Sequence, residues 1–182
     1  MGYTHYWRQL RDFTDTEWNE LARLTKLITT HRKGEVQVLD VSVDKEDPDT
    51  LTISNDEIRF NGIGEDGHET FILTKKKRAK MDYEEQEAYD RQGAFEFCKT
   101  AQKPYDKYVV AVLCALYTMD NNNNKSIMSE ITSDGRVEDW NEGLEYAVRS
   151  TRQEYMTCPI LNSVSLSYLD YLDQELIKES TG

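Results

Sequence analysis

The sequence predicts an α+β fold: one domain, a mainly antiparallel sheet packed with three or four helices. Three observations carry this. The predicted elements run strand, helix, several strands, helix, strand, helix, helix, with no regular alternation of the two. Short strand patterns are joined by turn residues, as at Asn55-Asp56. One long, almost wholly apolar segment, Tyr105 to Met119, reads as a helix buried on every side, with strand kept open as an alternative by Val109, Val110 and Val112. No internal repeat is visible and no linker divides two cores, so residues 1–182 read as a single domain.

Taken in order, residues 2–8 form a first strand, with Tyr3, His5 and Trp7 on one face and Thr4 and Tyr6 on the other. Thr14 and Glu17 then make a capping box, and Phe13 and Trp18 stand at staple positions around it. Trp18, Leu21, Leu24 and Ile28 give this first helix its apolar stripe. Arg32 and Lys33 suit its negative end, and Gly34 stops it. Val36 to Val43 reads as a strand, and Asp44 to Asp49 as an acidic loop. Leu51 to Ser54 and Glu57 to Asn61 form a hairpin, and Glu69 to Thr74 continues the sheet. Residues 81–92 are acidic and without a clean period, which predicts a mobile loop with one helical turn.

Ala94 to Cys98 is the strand that leads into the apolar segment, with Pro104 at its first helical position. Asn121 to Asn124 is a turn, Ser126 to Thr132 a strand and Asp134-Gly135 another turn. Val137, Trp140, Leu144, Ala147 and Val148 mark a further helix, broken at Cys158-Pro159. Leu166, Leu169, Leu172 and Leu176 predict a last helix over 160–180, packed on the body through its leucines.

Hydrophobic residues are 38% and charged residues 31%, a globular balance, and the net charge is -12. Phosphate contacts need clustered Lys and Arg, so direct nucleic-acid binding and anionic membranes are both disfavoured; an acidic surface suits a basic partner or imitates nucleic acid. The three cysteines, Cys98, Cys114 and Cys158, form no CxxC pair and argue against a disulfide framework. The opening carries no signal pattern, position 6 is Tyr rather than the Ser or Thr of a myristoylation motif, and Val109 to Leu116 is too short to span a bilayer. A cytoplasmic protein is expected, with no cofactor.

Several motifs invite a chemical reading. Gly62, Gly64 and Gly67 match GxGxxG, but the residues after them read as a strand, and Glu65 and Asp66 would repel phosphate. A glycine-rich hairpin loop is the expectation. His68 and Thr70 make one HxT triplet; two-histidine phosphodiesterases need two, and His5 and His31 lack the companion Thr. No HxH, HxxxH or CxxC pair marks a metal site. Cys98 beside Lys99 is the one candidate nucleophile, set against a small apolar residue ending a strand.

The β-strand-to-helix loop is the preferred site. Lys99 and Lys103 precede a helix N-terminus that is already positive, so an anion there would take the free N–H groups, the Thr100 hydroxyl and both ammonium groups. Asp106, or bulk water, is the competing neutraliser. Tyr3, His5, Trp7 and Tyr105 would line a base. The run Lys75, Lys76, Lys77 and Arg78 would contact phosphates or, as a solvated strand end, protect an edge.

The opening MGYTHYW, FNG at Phe60 to Gly62, HETF at His68 to Phe71 and FCKTAQKPYD at Phe97 to Asp106 together resemble a group of small proteins from phages and bacterial mobile elements. The resemblance covers the first two thirds of the chain. It implies a context, a phage-type protein of the host cytoplasm with a role against host defence, and brings no activity with it. The expected function is non-enzymatic binding of a small phosphate-bearing, nucleotide-type ligand at Tyr3, His5, Trp7, His68, Thr70, Lys99, Thr100, Lys103 and Tyr105. The alternatives are an acidic protein-binding inhibitor or nucleic-acid mimic, which predicts carboxylates along one face, and a hydrolase centred on His68 and Thr70.

Overall fold

A computed structural model describes residues 2–30, 51–160 and 165–181. Among them the fold is α+β, with five α-helices and eight strands in antiparallel sheets. Strands β1 (Thr4–Gln9), β5 (Ala94–Lys99) and β6 (Met128–Ser133) form one sheet in the order β5-β1-β6. Its register pairs His5 with Cys98 on one side and with Ser133 on the other. Strands β2 (Thr52–Ile53), β3 (Glu57–Phe60) and β4 (Phe71–Thr74) form a second, joined by the predicted turn at Asn55-Asp56. Trp7 and Phe71, ring centroids 5.5 Å apart, join the inner faces of the two sheets.

Helix α1 (Asp15–Thr30) starts where its capping box places it. Thr14 N–H donates to Glu17 Oε1 at 2.8 Å, and Glu17 N–H donates to Thr14 Oγ1 at 3.2 Å. The staple rings of Phe13 and Trp18 sit 5.1 Å apart. The predicted end at Gly34, the strand from Val36 to Val43 and the loop from Asp44 to Asp49 lie outside the described residues.

Helix α3 (Asp106–Asn121) is the buried helix, sealed from Tyr108 to Leu116. Helix α4 (Val137–Thr151) packs along it so closely that a Cβ at Gly143 would stand 2.3 Å from Val110 Cγ1. α3 begins two residues later than Pro104 suggests. Ala101 and Gln102 are both left-handed (φ 52° and 54°), and Asp106 N–H closes a turn on the Lys103 carbonyl before the helix starts.

Two segments differ from expectation. Residues 86–92 form a helix of two turns, α2 (Gln86–Gln92), rather than one turn in a loop. Its support comes from the basic run: Arg78 bonds Glu84 and Glu96, and Lys77 Nζ donates to the Tyr89 carbonyl at 3.1 Å. Within this run Lys75 and Arg78 serve the protein's own carboxylates, and Lys77 and Lys80 donate to its backbone carbonyls. After the short pair β7 (Met156–Thr157) and β8 (Ser165–Leu166), helix α5 (Tyr168–Thr181) reaches the body through Tyr168 and Tyr171 instead of through leucines. Leu166 alone of the predicted stripe is buried, and it belongs to β8.

Candidate functional site

The segments singled out in the sequence meet at one end of the β5-β1-β6 sheet, around Asp106. His5 is fully buried on β1. Its Nε2 lies 2.6 Å from Asp106 Oδ1 and its Nδ1 2.9 Å from Ser133 Oγ. A carboxylate only accepts, so Nε2 donates, and Nδ1 faces the Ser133 hydroxyl. Thr100 Oγ1 donates to the same Asp106 oxygen at 2.5 Å, and Gly135 N–H donates to Ser133 Oγ at 2.9 Å. The rings of Tyr3 and Trp140 close both flanks of His5, each centroid 5.2 Å away. The Tyr3 hydroxyl is buried beside Ser133, and its pKa is raised by burial first and by the Asp106 and Asp139 carboxylates after it.

Ser133, His5 and Asp106 stand in the order of a serine-hydrolase relay. The geometry does not suit that work. The ring is sealed, both nitrogens are engaged, and Nδ1 rather than Nε2 faces the serine, so no leaving group can reach the imidazole. What the chain of bonds does is pin the first turn of α3 to the sheet. The carboxylate satisfies a donor from β1 and one from the preceding loop together.

The residues expected to bind a ligand are placed as follows. Trp7 is in the core against Phe71. Tyr105 is buried, its hydroxyl donating to the Glu69 carbonyl at 2.5 Å. Thr100 is buried and spent on Asp106. Thr70 Oγ1 accepts from Asn61 Nδ2 at 3.1 Å. His68 is exposed and donates from Nδ1 to the Lys99 carbonyl at 2.9 Å, not to His5. The Lys99 side chain runs beside Gly2, whereas Lys103 Nζ donates to the Glu65 carbonyl at 3.0 Å. The structure thus brings these segments together but sends the two ammonium groups to different neighbours.

The remaining motifs resolve locally. Gly62 to Gly67 is a hairpin loop tied by Asn61, which accepts from the N–H groups of Gly62 and His68, and β4 follows it. Cys98 is buried and its thiol is pushed up to about 12, chiefly by desolvation, so it is not a thiolate nucleophile at neutral pH. Among the described residues no cluster of three or more His, Cys, Asp or Glu could hold a metal ion, and no helix is long and apolar enough to cross a membrane.

Sequence reasoning missed a second feature. A cleft of about 400 Å³ between the starts of α3 and α4 is lined by Asp106, Glu138, Asp139 and Glu142 with Lys103 and Lys107. A smaller one, about 140 Å³, continues between α4 and α5 and adds Glu145 and Glu175 with Arg149. Glu142 lines both. Six carboxylates therefore face three cations, and two of those cations fold over aromatic rings: Lys107 Nζ lies 5.4 Å and Arg149 Cζ 4.8 Å from the Tyr146 ring. The signal was present at positions 138, 142 and 145, spaced i, i+4, i+7 on one helix face.

No protein-family model, no curated protein and no solved structure matches this chain. Its function is read from its own geometry.

Proposed function

We propose that this chain is a protein-binding module that presents an acidic face to a basic partner. The observation that supports it is the carboxylate row Glu138, Glu142 and Glu145 along α4, continued by Glu175 of α5. Like charges aligned on one rigid helix raise the local negative potential, steer a cationic surface to it and reject anionic ones. With a net charge of -12, the whole molecule adds to the same field. In the phage context implied by the resemblance, such a face would occupy a host protein's nucleic-acid-binding surface. The test is binding of a short fluorescent oligolysine. Glu138→Gln, Glu142→Gln and Glu145→Gln together should weaken it roughly tenfold, and rising salt should weaken it steeply. A control neutralising Glu87 and Asp90 on α2 should change it little. Equal loss in both sets would leave only bulk charge and remove the assignment to α4.

A second reading, a small phosphate-bearing nucleotide-type ligand at the loop before α3, has one observation in its favour. Two successive non-glycine residues, Ala101 and Gln102, are held left-handed beside a cleft, and such strain gathers at binding loops. Against it stand the spent Thr100 hydroxyl and the diverging lysines. A thermal-shift screen of linear and cyclic nucleotides tests it. Saturable stabilisation lost in Lys99→Ala and Lys103→Ala supports this reading, and no shift with any nucleotide removes it.

A further inference from the structure

Helix α5 is amphipathic, and its apolar side faces outward. Tyr171, Gln174 and Glu175 line the clefts toward α4, and Lys178 lies within electrostatic reach of Glu145. These positions fall on one face of the helix. Leu169, Leu172 and Leu176, spaced i, i+3, i+7, fall on the other, with Ile177 at its edge. They are 72%, 38%, 63% and 62% exposed, and no residue of α5 is buried. The helix is nonetheless a well-started element: Ser167 and Asp170 cap it reciprocally at 3.1 and 3.2 Å. A contiguous leucine stripe left in water on a capped helix marks a surface that another molecule covers.

The charges beside the stripe select the occupant. Asp170, Asp173 and Glu179 stand beside it, while Glu175 and Lys178, the one cation of α5, lie toward α4. Two copies of α5 laid together would oppose like charges, and an anionic lipid surface would be repelled. A helix with leucine-type residues on one side and Lys or Arg on its borders matches both the stripe and its flanks. We propose that the outward face of α5 docks a basic amphipathic helix of a partner protein. This rests on the acidic-face reading above and names the partner's form.

The experiment uses the full chain and two synthetic helical peptides, one of Leu and Lys and one of Leu and Glu with the same apolar spacing, followed by fluorescence anisotropy. The Leu/Lys peptide should bind saturably and the Leu/Glu peptide should not. Leu172→Ser with Leu176→Ser should weaken binding roughly tenfold, as should Asp173→Lys with Glu179→Lys. All four positions lie on the surface, so the variants should fold normally, which circular dichroism checks. Equal binding of both peptides overturns the proposal. So does self-association of the wild type that Leu176→Ser abolishes, or binding to phosphatidylglycerol vesicles lost in the same variant. If Glu138→Gln, Glu142→Gln and Glu145→Gln abolish peptide binding while the α5 variants do not, docking on α5 fails and the acidic α4 face stands. If only the α5 variants matter, and oligolysine binding is insensitive to α4, the α4 reading fails instead.

Discussion

His5 Nε2 lies 2.6 Å from Asp106 Oδ1, a contact that joins the first strand to the first turn of the buried helix. Removing the carboxylate leaves two donors, the imidazole N–H and the Thr100 hydroxyl, buried without an acceptor. Each such orphan costs about 1–3 kcal/mol. Asp106→Ala should therefore destabilise the fold by about 3 kcal/mol, and Ser133→Ala by less, because its two partners, the His5 ring and the Gly135 N–H, lose a neutral hydroxyl rather than a carboxylate. Urea denaturation reads both. If Asp106→Ala is as stable as the wild type, the network is not structural and a catalytic role for Ser133 regains standing.

The contact between α3 and α4 has no spare room at Gly143. A Cβ there would meet Val110 Cγ1 at 2.3 Å and the Lys107 carbonyl at 3.1 Å. Gly143→Ala improves helix propensity, yet overpacking of this kind typically costs about 1–3 kcal/mol. Net destabilisation is expected, and pairing it with Val110→Ala should recover part of the loss. A stabilised Gly143→Ala would mean that the helices separate without penalty.

Acid should loosen the start of α1. Arg11 donates two hydrogen bonds to Glu17, at 2.8 and 2.9 Å, and holds its carboxyl at about 2, below the ordinary 4.5. The folded value is the lower one, so the contribution to stability is present above pH 4.5. It is lost as pH falls from 4.5 toward 2. Glu17→Gln should be less stable than the wild type at pH 7 and should show a shallower decline through that window. Denaturant midpoints measured across the range check it, and parallel curves for the two proteins would show that Glu17 does not carry the effect.

How much of this could be read in the sequence depends on whether the governing interaction was local. The capping box of Thr14 and Glu17, the hairpin at Asn55-Asp56 and the buried helix were legible, because a turn, a cap or an apolar run states itself within a few residues. The partners of Thr100 and His5 were not. From its place after Lys103, Asp106 reads as a neutraliser of lysines, and nothing in the chain indicates that β1 and β6 bring His5 to Ser133 across 128 residues. For α5 the period was right and the direction wrong. Periodicity locates a helix's apolar side but not what lies opposite it, and Tyr168 and Tyr171 took the inward contact. The acidic row on α4 is the solvated complement of that helix's apolar stripe, and only the fold shows that α5 continues it with Glu175.

Cys98, the candidate nucleophile of the sequence, should be unreactive in the folded protein. Lysine and a helix N-terminus near a thiol would lower its pKa, but burial and the Glu69 carboxylate dominate and push it up to about 12. Cys114 is likewise raised, and all three cysteines are buried. Native protein exposed to iodoacetamide at pH 8 should therefore remain unmodified, while the same reagent in denaturant should alkylate Cys98, Cys114 and Cys158. Mass spectrometry of the intact chain and its peptides distinguishes the outcomes. Selective labelling of Cys98 in the folded state would show that its sulfur reaches solvent as a thiolate, and would restore the nucleophilic reading that its place beneath the Glu69 carbonyl now opposes.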